Sequence, residues 1–133
     1  MSDVQGKKHM VLLIDDDQFL LNMYSLKFKN SGFEVETINN ASLALTKLRE
    51  GFIPDVILCD LVMPTMDGLE FIKKFREERL SPTSAIIVLS NQGQSTDIDK
   101  AKELGIDGYI VKASTIPSEV VEEVKSVIGK KKT

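Results

Sequence analysis

The chain has 133 residues, of which 42% are apolar and 28% are charged, and its formal net charge is −3. This length and composition predict one soluble globular domain with a sizeable core. They argue against nonspecific nucleic-acid binding, which needs a basic surface for phosphate contacts, so no direct nucleic-acid partner is expected.

Cysteine usage and the N-terminal sequence indicate the compartment. Cys59 is the only cysteine, so no intramolecular disulfide can form, which fits a reducing environment. The apolar run Met10–Ile14 is too short for a signal peptide or a membrane span. We expect a cytoplasmic protein without a membrane partner. Its expected parts are an N-terminal arm (1–9), one domain (10–128) and a basic C-terminal tail (129–133).

Five segments have the length and composition of β-strands. Four are continuous apolar runs, which are typical of strands buried on both faces of a parallel sheet. They are Met10–Ile14, Val56–Cys59, Ala85–Leu89 and Tyr109–Val111. The fifth segment, Phe33–Ile38, alternates apolar and polar residues, as an exposed edge strand does.

Amphipathic helical segments lie between and after these strands. Predicted N-terminal residues of the first four are Asp17, Asn40, Asp67 or Gly68, and Ser95 or Thr96; the fifth helix is predicted over about Ile116 to Ile128. Strand–helix alternation predicts an α/β fold: a doubly wound five-stranded parallel sheet in the flavodoxin-like order 2-1-3-4-5, with five helices. Ligands of such sheets bind at the carboxyl ends of the strands.

Acidic residues follow two strands that this topology makes neighbours. Asp15 and Asp16 follow the first strand, and Asp60 follows the third. Three converging carboxylates repel one another, and a hard cation such as Mg²⁺ or Mn²⁺ would offset that repulsion. We interpret Asp17 instead as the N-cap of the first helix.

A hydroxyl and an amine end two further strands. Ser90 ends the fourth strand and Lys112 the fifth, so both should face the same crevice. A metal ion and an ammonium neutralise phosphoryl oxygens, and a hydroxyl donates a hydrogen bond to them. Because carboxylates accept phosphoryl groups, the pattern favours formation of an aspartyl-phosphate.

Four motifs, LLIDDD, LCDLVMPTMDG, IIVLSN and DGYIVKAS, occur in this order along the chain. Together they resemble the receiver domain of two-component response regulators, and in particular the chemotaxis-regulator type. The pattern D-x-x-M-P-x-x-D-G, from Asp60 to Gly68, is the most specific part. The resemblance extends over about Met10 to Ile128.

The resemblance implies a role for each acidic site residue. Asp60 corresponds to the phosphoryl acceptor and a metal ligand. Asp16 corresponds to the direct Mg²⁺ ligand, and Asp15 to the acid that holds the metal through water. The backbone carbonyl of Val62 completes the implied ligand set.

The resemblance also implies a switch. Ser90 corresponds to the hydroxyl that moves toward the phosphoryl group, and Tyr109 to the aromatic residue that swings inward with it. Lys112 corresponds to the lysine that pairs with the acceptor and then with the phosphoryl oxygens. The face formed by the fourth helix, fifth strand and fifth helix would change for partner binding. One departure is Ala113, where the family usually has proline after the lysine.

The expected function is a phosphorylation-dependent signalling switch rather than a conventional enzyme. A histidine kinase or phosphotransfer protein would supply the phosphoryl group, and a downstream protein of unknown identity would bind the altered face. Whether phosphorylation drives dimerisation, and whether the chain is a stand-alone receiver or a fragment, the sequence leaves open.

Two alternatives compete with this expectation. One is an aspartyl-phosphate phosphatase similar to the haloacid dehalogenase group, in which Asp15 and Asp17 would be the acidic pair; Phe19 departs from that group's pattern. The other is a docking module that is no longer phosphorylated.

Overall fold

The computed structural model describes residues 8–90, 95–112 and 115–131, in which five strands alternate with five helices. The strands are β1 (Met10–Ile14), β2 (Glu34–Ile38), β3 (Val56–Cys59), β4 (Ala85–Ser90) and β5 (Gly108–Val111). The helices are α1 (Gln18–Asn30), α2 (Ala41–Arg49), α3 (Gly68–Glu77), α4 (Ser95–Glu103) and α5 (Pro117–Lys131). Every predicted strand and helix is present, with bounds that differ by a few residues.

The strands form one parallel sheet in the order β2-β1-β3-β4-β5, which confirms the predicted topology. All residues of β3 and β4 are buried, as their continuous apolar sequences require. Strand β2 lies at one edge and is only half-buried, in agreement with its alternating sequence. The order places β1 and β3 side by side at the point where the chain reverses direction across the sheet.

Each face of the sheet carries its own apolar layer. Helices α1 and α5 cover one face, packing against side chains such as Leu13, Leu58 and Ile110. Helices α2, α3 and α4 cover the other face, where Cys59 is fully buried. Because successive side chains of a strand point to opposite faces, Cys59 belongs to the core and faces away from its neighbour Asp60.

Side-chain caps begin three of the helices at the predicted residues. In each case a side-chain oxygen accepts a hydrogen bond from the backbone N–H three residues further on. The capping residues are Asp17, Asn40 and Asp67. The Asp17 carboxylate is therefore engaged at the start of α1, which confirms its interpretation as an N-cap.

The fifth helix departs from its prediction at both ends. Ile116, the predicted first residue, lies just outside the helix and is 60% exposed. The helix begins at Pro117, and a residue before proline is disfavoured in the helical conformation. The backbone N–H of Ile116 donates to the Glu119 carboxylate at 3.1 Å, as in a capping box. At the other end, the helix continues three residues past Ile128 to Lys131.

Within the described ranges, no helix combines the length and apolar composition that crossing a bilayer would require.

Candidate functional site

Three aspartates lie at the carboxyl edge of the sheet. Asp15 and Asp16 follow β1, Asp60 follows β3, and these two strands are hydrogen-bonded neighbours. One carboxylate oxygen from each residue lies within 4.8 Å of the other two. Asp15 and Asp60 are buried, whereas Asp16 is exposed. The cluster is thus built from two buried acids and one that faces solvent.

The Asp15 carboxylate is held on both sides. Its Oδ1 accepts a hydrogen bond from the backbone N–H of Asp17 at 2.9 Å. Its Oδ2 accepts a hydrogen bond from Nζ of Lys112 at 2.5 Å. This double engagement fixes the carboxylate at the mouth of β1.

Lys112 lies between the two buried acids. Its Nζ is 3.6 Å from Oδ2 of Asp60, so its shorter contact is with Asp15 rather than with the expected acceptor. Burial by itself lowers the pKa of Lys112, but the hydrogen bond to Asp15 and the charge of Asp60 outweigh it, and the net shift is upward. The side chain is therefore a buried ammonium, only 6% exposed, that bridges two carboxylates.

The Asp60 carboxylate is in an environment that disfavours its charge. Burial raises the pKa of Asp60, Lys112 opposes that rise, and the negative charge of Asp15 reinforces it. The backbone N–H of Val62 donates only a long hydrogen bond, 3.4 Å, to Oδ1. The charge of Asp60 is therefore less favoured than that of a solvated aspartate, and it would gain from a nearby cation.

One open cavity of about 410 Å³ joins these groups. Its lining residues are Asp15, Asp16, Asp17, Leu20, Asp60, Val62, Ser90 and Lys112. The cavity thus brings together every predicted acidic, hydroxyl and amine residue of the site. The Val62 side chain is 73% exposed at its rim, and the metal-binding role of the Val62 carbonyl stays a prediction.

Ser90 and Tyr109 form a second group at the site. Strand register places Val88 beside Tyr109 and Ser90 beside Val111. A hydrogen bond joins the Ser90 and Tyr109 side chains; burial raises the pKa of Tyr109, and this bond partly offsets the rise. The half-buried ring packs against the apolar layer under α2, α3 and α4. The two predicted switch residues are in contact, and their switching role stays a prediction.

Gly68 sets the path of the loop that follows Asp60. Its backbone N–H donates to the Leu61 carbonyl at 2.8 Å, which closes the loop onto the start of α3. A Cβ atom at this position would overlap the carbonyl oxygen of Asp60 and come within 2.7 Å of the Leu61 Cα. Only glycine permits this approach, and the approach fixes the backbone of Asp60.

The donor set fits a hard divalent cation. Asp15, Asp16 and Asp60 offer only oxygen atoms, which Mg²⁺ and Mn²⁺ prefer, and no other group of three metal-ligating side chains occurs among the described residues. Ala113 and Gln92, which adjoin the site in sequence, lie outside the described residues.

Sequence reasoning missed one residue beside the site. In the sequence, Tyr24 of α1 is spaced with Leu20 and Phe28 as part of an apolar helical stripe, and nothing further singles it out. It lines a small cavity together with Asp15 and Asp60. The available signal was a hydroxyl in a stripe that otherwise contains leucine and phenylalanine.

Comparison with known proteins finds a matching sequence family and similar solved structures. Residues 11–125 match the sequence profile described as "Response regulator receiver domain". Among solved structures, chemotaxis protein CheY4 of Vibrio cholerae is 29% identical and superimposes with a TM-score of 0.82, covering 91% of this chain and 99% of that one. A CheY-like receiver domain protein of Methanospirillum hungatei is 25% identical with a TM-score of 0.86, covering 95% and 98%.

Curated relatives are longer proteins. The DNA-binding response regulator MtrA of Mycolicibacterium smegmatis is 31% identical over 119 residues, which are 90% of this chain and 50% of MtrA. A CpxR homolog of Haemophilus influenzae is 32% identical over 118 residues, 89% of this chain and 49% of the relative. The chain therefore spans about half the length of these relatives.

Proposed function

Because the chain belongs to the response regulator receiver domain family of two-component systems, we propose that Asp60 is its phosphoryl acceptor and that phosphorylation there switches its partner-binding face. The carrying observation is the shared cavity, in which Asp60 lies with two further acids, a buried ammonium and a hydroxyl. The family match supports a phosphorylation-dependent signalling switch. The residue roles are our proposal.

Transfer to Asp60 exchanges one bond to phosphorus for another. A carboxylate oxygen of Asp60 attacks the phosphorus of a phosphohistidine on a histidine kinase or phosphotransfer protein. The new O–P bond forms as the N–P bond breaks, and the imidazole nitrogen leaves with the electron pair. The weakly stabilised charge of Asp60 supports this role, since its pKa is raised by burial.

The neighbouring residues would bind the metal ion and pair with the phosphoryl oxygens. Asp16, Asp15, Asp60 and the Val62 carbonyl would hold Mg²⁺, which when bound neutralises charge on the phosphoryl oxygens. Lys112 is 3.6 Å from Asp60 and would move its ammonium onto those oxygens as they arrive.

The switch proposal concerns Ser90 and Tyr109. Ser90 would donate its hydroxyl hydrogen to a phosphoryl oxygen and give up its present bond to Tyr109. Loss of that bond would free the tyrosine ring, which projects from β5 and packs against the apolar layer under α2, α3 and α4. A change confined to two hydroxyls would in this way alter the face made by α4, β5 and α5.

The phosphatase alternative is not favoured. It would require Asp15 as the nucleophile, but both Asp15 oxygens are engaged, by the Asp17 N–H and by Lys112. The docking-module alternative is not favoured either, because Asp60, Lys112 and the other groups needed for phosphorylation share one cavity.

Treatment with a small acyl phosphate and Mg²⁺ tests the acceptor. We expect intact-mass measurement to show one base-labile phosphoryl group on the wild-type chain and none on Asp60→Asn. The matched control is Asp17→Asn, which keeps an N-cap side chain on α1 and should be phosphorylated normally. Phosphorylation of Asp60→Asn at the wild-type rate would disprove the assignment.

A further inference from the structure

The backbone of Asp60 is held where β3 ends. Its N–H donates a hydrogen bond to the carbonyl of Ile14 at 3.1 Å. Its carbonyl oxygen packs against the backbone of Gly68, where an added Cβ atom would overlap it. Asp60 as a whole is buried. A buried backbone carbonyl without a donor destabilises the folded state, so this oxygen requires a hydrogen bond from the protein.

Cys59 supplies that hydrogen bond. Its Sγ donates to the Asp60 carbonyl at 3.2 Å, and within residues 8–90, 95–112 and 115–131 no other group donates to this oxygen. The thiol is fully buried in the layer beneath α2, α3 and α4. Burial raises the pKa of Cys59, and the charges of Asp60 and Asp15 raise it further. The sulfur therefore keeps its proton at neutral pH and remains a donor.

Packing alone does not account for a cysteine at this position. The residues beside it in the sheet are Ile14 on β1 and Val88 on β4, and both side chains are buried in the same layer. Valine is close to cysteine in size and is enriched in strands, so it would fill this place with similar apolar contacts. What the cysteine adds is an S–H group that reaches the carbonyl of the next residue.

The bonded carbonyl belongs to a peptide unit on which the site depends. A peptide unit is planar, so a bond to its oxygen fixes the plane that joins Asp60 to Leu61. The preceding unit is fixed through the N–H of Asp60, and together the two units set the direction in which the side chain leaves the backbone. The carboxylate itself is held only loosely, with the Val62 nitrogen 3.4 Å from Oδ1 and the Lys112 Nζ 3.6 Å from Oδ2.

We propose that Cys59 is a positioning residue for Asp60: its thiol fixes the peptide unit that follows Asp60, and thereby the direction of the Asp60 carboxylate in the cavity. Successive side chains of a strand point to opposite faces, so the thiol acts through the backbone and does not touch the reacting atoms. No bond to sulfur forms or breaks. This inference rests on the proposed function of Asp60 as the phosphoryl acceptor.

Infrared spectroscopy of the metal-free wild-type protein tests the hydrogen bond directly. Cys59 is the only cysteine of the chain, so the S–H stretching band reports this group alone. We expect the band at a lower frequency than that of a simple thiol in hydrocarbon solvent, because donating a hydrogen bond weakens the S–H bond. A band at the hydrocarbon-solvent frequency would overturn the proposal. This measurement uses neither Mg²⁺ nor a phosphodonor, so it holds even if the wild-type chain takes up no phosphoryl group.

Two substitutions then separate the hydrogen bond from packing. Cys59→Val keeps an apolar side chain and removes the donor, whereas Cys59→Ser keeps a donor and places a hydroxyl in an apolar layer. At saturating Mg²⁺, Cys59→Val should slow phosphorylation by an acyl phosphate about 2- to 10-fold, the usual effect of losing one hydrogen bond. Cys59→Ser should be phosphorylated at the wild-type rate.

The control is Ile86→Val, which shortens a fully buried side chain of the same layer on β4. It should lower stability to urea and leave the phosphorylation rate unchanged. A slowed Cys59→Ser, or a Cys59→Val protein that is phosphorylated at the wild-type rate, would overturn the proposal. Absence of phosphorylation in the wild type would instead contradict the function proposed for Asp60 and would leave the infrared result standing.

Discussion

At the scale of single residues, three aspartates near the site differ in the hydrogen bonds and ion pairs that their carboxylates make. Asp15 is fixed by two hydrogen bonds, Asp17 caps a helix, and Asp60 receives only a long hydrogen bond and a more distant ammonium. Adjacent aspartates in the sequence therefore have different tasks. Asp60, whose carboxylate accepts the longest hydrogen bond of the three, is the residue proposed to form a bond to phosphorus.

The raised pKa of Asp60 predicts a pH-dependent stability effect. Without metal, the unfolded chain releases this proton at a lower pH than the folded chain does, so stability falls as pH rises through the folded-state pKa. Asp60→Asn should therefore increase the free energy of unfolding at neutral pH. The increase should vanish below the unfolded aspartate pKa of about 3.9.

Urea unfolding of both proteins at neutral and acidic pH measures this effect, and Mg²⁺ should reduce it by stabilising the ionised wild type. The control for loss of one negative charge is Asp99→Asn, which removes an exposed carboxylate on α4. Equal stability of Asp60→Asn and wild type at neutral pH without Mg²⁺ would contradict the prediction.

The position of Val62 at the rim of the cavity predicts an effect on the rate of autodephosphorylation. Its side chain is 73% exposed and lies two residues past the proposed acceptor, where we expect it to limit the approach of water to a phosphoryl group on Asp60. Val62→Asn should change the rate of autodephosphorylation several-fold and leave Mg²⁺ affinity almost unchanged. Decay of phosphorylated protein at saturating Mg²⁺ measures this rate.

The matched control for Val62 is Ile53→Asn, which changes another exposed aliphatic residue, one that precedes β3 at the opposite edge of the sheet. Its decay should follow the wild type. If Val62→Asn also decays with the wild-type constant, Val62 does not control water access.

At the scale of the elements, the close approach between α3 and the end of β3 positions Asp60, the proposed acceptor. The helix begins at Gly68, directly against the backbone of Asp60 and Leu61. Helix α3 is in turn fixed to the next helix by Arg76. Its guanidinium donates to the carbonyls of Leu104 and Gly105 after the end of α4. The loop between Asp60 and Gly68 is thus part of a packed helix–sheet unit.

Gly68→Ala should lower the free energy of unfolding by about 1–3 kcal/mol, because the added methyl group overlaps backbone atoms that cannot move aside. It should also slow phosphorylation by displacing Asp60. Chemical unfolding and the acyl phosphate reaction measure the two effects.

Gly129→Ala is the control, since this glycine lies in helix α5 and an added Cβ would meet only open space. That substitution should raise stability by up to about 1 kcal/mol, as is usual for glycine to alanine in a helix. A Gly68→Ala protein as stable as Gly129→Ala would show that the contact with Asp60 is not restrictive.

At the scale of the whole molecule, the site depends on bringing both ends of the domain together. Lys112 and Asp15 are 97 residues apart in the chain, yet their contact is the shortest ion pair among the described residues. The sheet order puts β1, β3, β4 and β5 in a row, so their carboxyl ends form one edge. The ammonium from the last strand thereby neutralises acids from the first and third.

This arrangement predicts competition between Lys112 and Mg²⁺ for Asp15. Lys112→Met removes a buried positive charge beside two carboxylates, so we expect Mg²⁺ to bind about tenfold more tightly while phosphorylation slows. Isothermal titration calorimetry measures the affinity. The control is Lys47→Met, which removes a partly exposed lysine paired with Glu36 at 3.6 Å. Unchanged or weaker Mg²⁺ binding by Lys112→Met would contradict the competition.

The sequence by itself determined the strands, the helices, their order and the identity of the acidic site residues. It could do so because these features depend on local patterns: apolar runs, side-chain caps at Asp17 and Asp67, and polar residues placed directly after strands. The resemblance to the family's motifs was not needed to place Asp15 beside Asp60, since the predicted parallel strand order already makes their strands neighbours.

Only the tertiary structure decided which groups touch. It paired Lys112 more closely with Asp15 than with Asp60, joined Ser90 to Tyr109, and brought Tyr24 to the small cavity behind the acids. It also left Ile116 outside the core. These outcomes follow from packing between segments far apart in the chain, where differences of one or two ångströms select the partner and no local pattern records the choice.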